Sequence, residues 1–503
     1  MCAEGVFLPP LPPDRLAMPP YAQQTERMTQ AMEYDVVVVG AGPVGENVAD
    51  RARAAGLSVA IVESELVGGE CSYWACMPSK ALLRPVIARA DARKIPGLRA
   101  AVQGPLDVPA VLANRDAFTS NWKDDGQVEW VNGIGADLHR GHGRLAGTKR
   151  VGVTTPEGRE VILTARHAVA VCTGSRAAVP GLPGVAGAGV WTSREATSSP
   201  RVPGRLVIVG AGVVGSEMAT AYQALGSKVT LLIRGGRPLP GMEPFAGELV
   251  ADALTEAGAV VRTNSSAASV ERDGAEGPVT VVLETGERIE ADEVLFATGR
   301  APRSEDIGLE SVGLTPGQWL DVDDTLRVDG HDWLYAVGDI NHRALMTHQG
   351  KYQARVAGDA IAARAQGVPL LETDRWGMHA ATADHAAVTQ VVFTDPEVAT
   401  VGPTLEQAER AGLRVRAVDQ DMGAVAGAAL YADGYTGRAR MIVDLDREIV
   451  VGVTFAGPGA GELLQSAAVA VAGEVPIDRL WHAVPPYPTI SEVWLRLLEA
   501  YRG

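Results

Sequence analysis

The sequence has 503 residues, of which 46% are hydrophobic and 21% charged, an ordinary balance for globular domains. Its 61 acidic and 45 basic side chains give a formal charge of −16 at pH 7, which disfavours nucleic acid and anionic membranes as partners. No run of about 18 apolar residues predicts a membrane span. For a chain of this length we expect roughly two to four domains.

The N-terminal segment, residues 1–33, is proline-rich and lacks both a periodic apolar face and the charged start of a signal peptide. We interpret it as a disordered tail, or as an extension upstream of a start at Met28 or Met32, with the fold beginning near Tyr34. The four cysteines, at positions 2, 71, 76 and 172, are too few for a secreted disulfide scaffold. The sequence therefore favours a cytoplasmic protein, in which a disulfide is more often catalytic than structural.

A buried parallel strand is predicted at residues 35–40, because this segment reads DVVVVG. It leads into Gly40, Gly42 and Gly45, then a helical stretch, then a strand that ends at Glu63. Glycines at this spacing permit a tight turn and the close approach of a pyrophosphate to a helix N-terminus. Glu63 can accept hydrogen bonds from a ribose 2′-OH. We therefore predict a dinucleotide-binding βαβ unit.

The same unit recurs at residues 205–234, where the glycines are Gly210, Gly212 and Gly215. Its second strand ends in Arg234 rather than a carboxylate, with Arg237 nearby. Arginines at this point can pair with a 2′-phosphate, which favours NADPH over NADH. The alternative is that both arginines are ordinary solvated loop residues. Two dinucleotides bound by one chain can share electrons.

Cys71 and Cys76 lie five positions apart in a segment that reads GGECSYWACMPSK, just after the first βαβ unit. Cysteines at this spacing can close a disulfide, and a nearby helix N-terminus or cation favours the reactive thiolate. Pro78 suits the first turn of a helix. The alternative is that the two cysteines are small buried hydrophobic residues.

Several motifs together resemble the class I pyridine nucleotide-disulphide oxidoreductases, the family of dihydrolipoamide dehydrogenase, glutathione reductase and mercuric reductase. The resemblance covers Tyr34 to Tyr501. The motifs, in chain order, are GAGPVG (40–45), GGEC-x4-C-x-PSK (68–80), CTGS (172–175), GAGVVGSEMA (210–219), ATGR (297–300), YAVGD (335–339), FTDPEVATVG (393–402) and PTISE (488–492).

This resemblance implies an α/β fold with two Rossmann-like domains, for FAD and NAD(P), and a C-terminal α+β dimerisation domain. The expected boundaries are an FAD domain at 34–186 and 303–372, an NAD(P) domain at 187–302, and an interface domain at 373–503. Within the interface domain, the alternating segment 439–457 predicts a hairpin and the segment 460–475 a helix. A homodimer is expected, and no metal site.

Residue roles follow from the same resemblance. Cys76 faces the flavin, Cys71 exchanges with a small-molecule acceptor, and Lys80 pairs with Glu217 near the flavin. The residues expected to hold FAD or the NADPH (or NADH) cofactor are Gly40, Gly42, Gly45, Glu63, Gly174, Gly210, Gly212, Gly215, Arg234, Gly299, Gly338 and Asp339.

One position departs from the family pattern. Tyr487 stands where disulfide reductases of the family carry a histidine that handles the proton of the exchanging thiol, and Glu492 matches the glutamate that orients it. Histidine titrates near pH 6.5 and tyrosine near pH 10, so Tyr487 is a poor proton acceptor at about pH 7. His482 is an alternative base.

Three functions therefore stay open. The first is reduction of a disulfide-type acceptor, and the second is reduction of a quinone, a dye or a second nucleotide without thiol exchange. The third is a non-catalytic redox sensor. The aromatic pair Tyr73–Trp74 between the cysteines is a second departure, which could narrow the substrate cleft or pack beneath the flavin domain.

Overall fold

The computed structural model describes residues 31–274, 277–370 and 373–503. The first unit is built on a mainly parallel sheet with strand order β3-β2-β1-β6-β5-β4. Its strands are β1 (Ala31–Val39), β2 (Val59–Glu63), β3 (Asp137–Arg140), β4 (His142–Leu145), β5 (Arg150–Thr154) and β6 (Glu160–Val171), followed by the short strand β7 (Ser175–Ala177). Its helices are α1 (Pro43–Ala54), α2 (Gly69–Tyr73), α3 (Cys76–Arg93), α4 (Val108–Phe118) and α5 (Asp125–Gly133).

The central strand β1 explains why this sheet is buried on both faces. Residues 36–39 are all valine, and all four are buried although successive side chains point to opposite faces. The strand pairs in parallel with β2 and β6, and its pairing with β6 starts at Ala31 opposite Ile162. The strand β1 thus includes the three residues before the predicted start at Tyr34, because β6 is long enough to pair with them. The rest of the expected tail, residues 1–30, lies outside the described residues.

The second unit repeats the nucleotide fold with a parallel sheet of order β10-β9-β8-β14 and an antiparallel sheet of order β11-β12-β13. The strands are β8 (Arg205–Val209), β9 (Lys228–Leu232), β10 (Val260–Arg262), β11 (Ala267–Arg272), β12 (Val279–Leu283), β13 (Arg288–Ala291) and β14 (Glu293–Phe296). The helices are α6 (Ser193–Ser198), α7 (Val213–Ala224) and α8 (Pro244–Glu256).

The chain then returns to the first unit. β15 (Arg300–Pro302) pairs with β7, and β16 (Leu334–Ala336) joins the first sheet beside β6. α9 (Thr347–Ala365) packs along α1, where Arg51 forms an ion pair of 2.8 Å with Asp359. This return segment places the first turn of α9 beside the first turn of α1.

The C-terminal unit is an antiparallel sheet of order β17-β18-β21-β20-β19, covered by helices. The strands are β17 (Thr389–Val392), β18 (Val398–Val401), β19 (Val415–Asp421), β20 (Arg438–Asp444) and β21 (Ile449–Ala456). The helices are α10 (Ala383–Ala386), α11 (Leu405–Arg410), α12 (Ala426–Tyr431), α13 (Ala460–Ala472), α14 (Ile477–Leu480) and α15 (Val493–Arg502). The predicted hairpin corresponds to β20 and β21, and the predicted helix to α13, so both are confirmed.

The architecture confirms the predicted fold class, α/β with two Rossmann-like sheets and a C-terminal α+β unit. The domain boundaries at 186, 302 and 372 stay predictions. Within the ranges that the structure describes, no helix is both long and apolar enough to cross a membrane.

Arg115 of α4 fixes the second unit against the first. Its side chain is 1% exposed and lies over the Trp122 ring at 5.4 Å. Its guanidinium donates hydrogen bonds to the carbonyl oxygens of Thr197 and Ser199 at 3.1 and 2.8 Å, at the end of α6. Both bonds are buried, so loss of the donor leaves two acceptors without partners.

We predict that Arg115→Met lowers the free energy of unfolding by about 2–4 kcal/mol, because each unsatisfied buried acceptor costs about 1–3 kcal/mol. The thermal midpoint at a fixed scan rate falls by about 5 °C or more. Arg159→Met, at an exposed arginine paired with Glu157, is the control and shifts the midpoint by about 1 °C or less. Equal midpoints for the two variants would contradict the assignment.

Candidate redox and nucleotide sites

The first glycine turn connects β1 to α1 through contacts that only glycine allows. Gly40 has φ +102°, and a Cβ there would lie 2.5 Å from the Cys172 carbonyl oxygen. A Cβ at Gly45 would overlap the carbonyl oxygen of Gly40. Around Gly42, by contrast, the nearest atom to a built Cβ is the Cα of Gly69 at 3.9 Å. The helix N-terminus is therefore open at the position where a phosphate would approach.

Glu63, at the end of β2, is tied to this turn. Its carboxylate accepts hydrogen bonds from the backbone N–H of Ala41 at 2.8 Å and of Glu65 at 2.7 Å. Burial raises the pKa of Glu63, and these two hydrogen bonds act in the opposite direction. The carboxylate is thus oriented beside the glycine turn, as the predicted ribose contact requires.

The second glycine turn repeats this geometry. Gly210 also has φ +102°, with a built Cβ 2.5 Å from the Ala297 carbonyl oxygen, and a Cβ at Gly215 would overlap the Gly210 carbonyl oxygen. The space around Gly212 is open. Arg234, two residues beyond β9, is exposed, and Arg237 has a buried Nε without a hydrogen-bond partner. Both arginines are thus placed near the nucleotide turn.

Three sequence motifs meet at Ser175. Its hydroxyl donates to Asp339 Oδ2 at 2.6 Å and accepts from Arg300 Nε at 2.9 Å. The CTGS, ATGR and YAVGD motifs, with Gly174, Gly299 and Gly338, therefore converge on one point of the first unit. Burial raises the pKa of Asp339, and the Ser175 hydroxyl and the Arg300 charge oppose that effect.

The two cysteines lie on successive helices. Cys71 belongs to α2 and Cys76 is the first residue of α3; both are half-buried and present as thiols. The Cys76 Sγ lies 3.3 Å from the Thr347 hydroxyl, at the start of α9. Helix N-termini carry partial positive charge, so α3 and α9 both favour a thiolate here.

The pKa values of the two thiols are shifted in opposite directions. A hydrogen bond from Cys71 lowers the pKa of Cys76 to about 6, against the effect of burial, and the Thr347 hydroxyl and Lys80 lower it further. The same hydrogen bond, together with burial, raises the pKa of Cys71 well above its usual range. Cys76 is therefore the thiolate of the pair, and Cys71 keeps its proton at neutral pH.

Lys80 and Glu217 form the ion pair that the resemblance implies. Lys80 Nζ donates to the Glu217 carboxylate at 2.7 and 3.0 Å and lies 4.8 Å from the centre of the Phe393 ring. Glu217 is 3% exposed and also accepts from the backbone N–H of Phe393 at 3.0 Å. The pair joins α3, α7 and the segment after β17, one element from each unit.

The aromatic residues between the cysteines point in different directions. Tyr73 is 1% exposed, and its hydroxyl donates to the Val67 carbonyl oxygen at 3.1 Å, so it packs into the first unit. Trp74 stacks against the Arg194 guanidinium of α6 at 4.2 Å, and Arg194 pairs with Glu65 and Glu70. The predicted packing beneath the flavin domain thus describes Tyr73, whereas Trp74 contacts the second unit.

Tyr487 and Glu492 lie in the C-terminal unit. Tyr487 is 77% exposed, whereas Glu492 is buried and accepts from the backbone N–H groups of Gly427 and Thr489 at 3.0 and 3.1 Å. Glu492 therefore holds the turn that follows Tyr487. His482 is exposed just after α14.

Sequence reasoning missed Thr347, Lys351, Glu46 and Glu70. The Thr347 hydroxyl contacts Cys76, and the charge of Lys351 lowers the pKa of Cys71. Oε1 of Glu46 and Oε2 of Glu70 are buried without a hydrogen-bond partner. The sequence signal for the first two was the start of a helix shortly after YAVGD. No group of three or more His, Cys, Asp or Glu side chains among the described residues is arranged to hold a metal ion.

Comparison with known proteins identifies this arrangement. Residues 34–367 match the pyridine nucleotide-disulphide oxidoreductase family, and residues 388–497 match the dimerisation domain of the same family. The chain belongs to the pyridine nucleotide-disulphide oxidoreductases. It is 32% identical to dihydrolipoyl dehydrogenase 3 of Pseudomonas aeruginosa, over 91% of this chain and 96% of that protein. It is 29% identical to mercuric reductase of Staphylococcus aureus, over 92% of this chain and 81% of that protein.

Solved structures share the fold. The flavoprotein disulfide reductase RclA of Escherichia coli superimposes with a TM-score of 0.78 at 22% identity, covering 93% of this chain and 99% of that one. LpdA of Mycobacterium tuberculosis gives a TM-score of 0.78 at 24% identity, with the same coverage. This oxidoreductase uses FAD and NAD(P)H and is of the disulfide reductase type.

The first unit fits FAD. The open N-terminus of α1 suits a pyrophosphate, and the unpartnered buried oxygens of Glu46 and Glu70 suit a ligand that carries hydroxyl donors. Both glutamates lie on helices that meet at Gly42 and Gly69.

We predict that Thr347→Val raises the pKa of Cys76 from about 6 toward its usual value, by about one unit, since a hydroxyl donor to the thiolate is lost. The pH dependence of alkylation at Cys76, mapped by mass spectrometry on reduced protein, measures this shift. Thr347→Ser keeps the hydroxyl and is expected to keep the wild-type midpoint. If Val and Ser variants titrate alike, the contact does not set the acidity of Cys76.

Proposed function

We propose that this oxidoreductase passes two electrons from NADPH (or NADH) to the Cys71–Cys76 disulfide and on to a small-molecule disulfide-type acceptor. Bound FAD supplies hydride acceptance from the nicotinamide and two-electron transfer to the disulfide. The observation that carries the proposal is the asymmetric thiol pair, with an acidic Cys76 held by Thr347 and Lys80 and a protonated Cys71 beside it.

The two cysteines would have separate tasks. Cys76 lies where the N-termini of α3 and α9 meet, and its thiolate is stabilised in that position. Cys71 lies on the shorter α2, with a thiol that becomes a nucleophile only after losing its proton. In this proposal Cys71 attacks the acceptor and Cys76 closes the disulfide afterwards. The small number of cysteines favours a cytoplasmic location for such chemistry.

We infer a homodimer in which each site is completed by the other copy. The family dimerisation domain at 388–497 and the exposure of Tyr487 support this arrangement. Glu492 would then hold Tyr487 at the mouth of the neighbouring site. The Tyr487 hydroxyl would donate a hydrogen bond there rather than accept the Cys71 proton.

The presence of Tyr487 favours a second candidate function. Without a histidine base at that position, electrons could pass to a quinone, a dye or a second nucleotide without thiol exchange. The two functions differ in their need for Cys71.

We predict that Cys71→Ser lowers NADPH-dependent reduction of a disulfide substrate by about 100-fold or more, because the attacking thiol is lost, while reduction of a quinone or dye persists. Lipoamide, glutathione disulfide and a quinone are assayed in parallel. Cys172→Ser, at a buried cysteine after β6, is the control and is expected to keep disulfide reduction. A Cys71→Ser enzyme as active as wild type on every acceptor would favour the second candidate.

NADPH is the nucleotide that we propose for the second unit. The supporting feature is Arg234 at the end of the β9 segment, where a carboxylate would select a free 2′-OH.

We predict that Arg234→Ala raises KM for NADPH about tenfold, since a charge-assisted contact of about 1.4 kcal/mol is lost, with little change in kcat. KM for NADH, measured on the same preparation, serves as the internal control and is expected to stay unchanged. A parallel rise in both KM values would show that Arg234 does not recognise the 2′-phosphate.

A further inference from the structure

Asp384 is a buried carboxylate that has no part in the proposed electron transfer. It lies on α10 of the C-terminal unit, and its side chain has no exposed surface. Oδ1 accepts a hydrogen bond of 2.8 Å from Gln349 Nε2, whereas Oδ2 makes no hydrogen bond and lies 3.9 Å from Arg343 Nη1. Burial raises the pKa of Asp384, and the Gln349 bond and the charges of Arg343 and His385 oppose that effect. Burying a carboxylate with one free oxygen is unfavourable for stability, and such groups are typical of functional sites.

Gln349 lies in the first turn of α9, which rests on the C-terminal unit. The neighbouring His348 ring also contacts that unit, at the Thr389 carbonyl oxygen, over 2.8 Å. The His348 contact is open to solvent, whereas the bond from Gln349 to Asp384 is buried and has a carboxylate as acceptor. The buried bond therefore contributes more to holding this turn in place.

The first two turns of α9 also carry the contact to the redox thiol. Thr347, two residues before Gln349, lies with its hydroxyl 3.3 Å from Cys76 Sγ. Gln353, one turn after Gln349, is fully buried and accepts from the backbone N–H of Gly338 at 2.8 Å. The helix is thus held at its second turn by Gln353 and at its first by Gln349, and Thr347 lies beyond both. Because helix ends fray, loss of the Gln349 bond would release the turn that carries Thr347 first.

We propose that Asp384 is a positioning residue for Cys76. By holding Gln349, its carboxylate fixes the first turn of α9, so that the Thr347 hydroxyl stays in contact with the Cys76 sulfur. The C-terminal unit would thereby influence the redox thiol of its own chain. This inference goes beyond the proposed function, since it concerns the state of Cys76 and not the electron acceptor.

Two ways in which Asp384 could affect Cys76 differ in sign. A negative charge acting through space disfavours the thiolate, so removal of the Asp384 charge would lower the pKa of Cys76. Loss of the Thr347 contact would raise it, because that hydroxyl lowers the pKa of Cys76. Lys80 and Glu217, the charged groups that act on Cys76 from α3 and α7, are the same in every variant. The direction of the change therefore distinguishes positioning from charge.

The test is the pH dependence of Cys76 alkylation by iodoacetamide in chemically reduced holoenzyme, with the modified residue assigned by mass spectrometry. Asp384→Ala should raise the midpoint from about 6 by roughly 0.5, part of the rise of about one expected when the Thr347 hydroxyl is lost completely. Asp384→Asn removes the charge but keeps an oxygen acceptor for Gln349, so it should not raise the midpoint.

A double-mutant cycle identifies the route of the effect. If Asp384 acts through Thr347, Asp384→Ala should leave the midpoint unchanged when it is added to Thr347→Val. An equal rise in both backgrounds would overturn the proposal. A midpoint that is unchanged or lowered in Asp384→Ala alone would overturn it as well. So would a wild-type midpoint in Thr347→Val, because Asp384 would then have no effective contact to position.

Two further variants separate positioning from loss of stability. Gln349→Met removes the donor from the other side and should reproduce the raised midpoint, and it replaces Asp384→Ala if that variant does not fold with FAD bound. Arg272→Met breaks a buried ion pair of 2.7 Å with Glu293 in the second unit, and its midpoint should equal that of the wild type. A rise in Arg272→Met as large as that in Asp384→Ala would contradict the assignment. No acceptor is present in these experiments, so their outcome does not depend on the proposed function.

Discussion

The ion pair between Lys80 and Glu217 is the contact on which the arrangement of the three units depends. Lys80 follows Cys76 by one helical turn on α3, Glu217 lies on α7 of the second unit, and the backbone N–H of Phe393 adds the C-terminal unit. A carboxylate as buried as Glu217 is tolerated only because both of these donors reach it. The position of Cys76 relative to both nucleotide folds is thus fixed by one satisfied buried charge.

Charge also organises the thiol pair. The helix N-termini of α3 and α9, the Thr347 hydroxyl and Lys80 all stabilise negative charge at Cys76. At Cys71 the hydrogen bond to Cys76 and burial raise the pKa by more than Thr347 and Lys351 lower it. The pair therefore holds a single negative charge at neutral pH, located on Cys76. Chemistry at Cys71 then requires removal of a proton, and the residue that accepts it decides how readily the acceptor is attacked. The group that accepts this proton is one point at which the sequence departs from the family pattern, because Tyr487 stands in the place of the histidine.

Much of this could be predicted from the sequence because the motifs are local. Each glycine turn belongs to a local strand–turn–helix pattern, and the strand, turn and helix around Gly40 and Gly210 lie where that pattern indicates. The pairing of Lys80 with Glu217, which are far apart in sequence, was reached only through the family resemblance. Periodicity alone would not have found it.

Other features could not be predicted because they depend on how distant helices pack. Thr347 is an ordinary residue in the sequence, and only the position of the α9 N-terminus brings its hydroxyl to Cys76. The start of β1 at Ala31 was missed because pairing with the long β6, rather than local pattern, orders residues 31–33. Trp74 likewise owes its position to Arg194 of the second unit.

The proposed activity requires that electrons from the nicotinamide reach the Cys71–Cys76 pair. The most direct measurement adds about one equivalent of NADPH to the oxidised holoenzyme without oxygen, quenches with an alkylating reagent and maps the modified cysteines by mass spectrometry. We expect Cys71 and Cys76 to become modified together in proportion to the NADPH consumed, while the modification of Cys172 does not change. Consumption of NADPH with the Cys71–Cys76 disulfide still intact would contradict it.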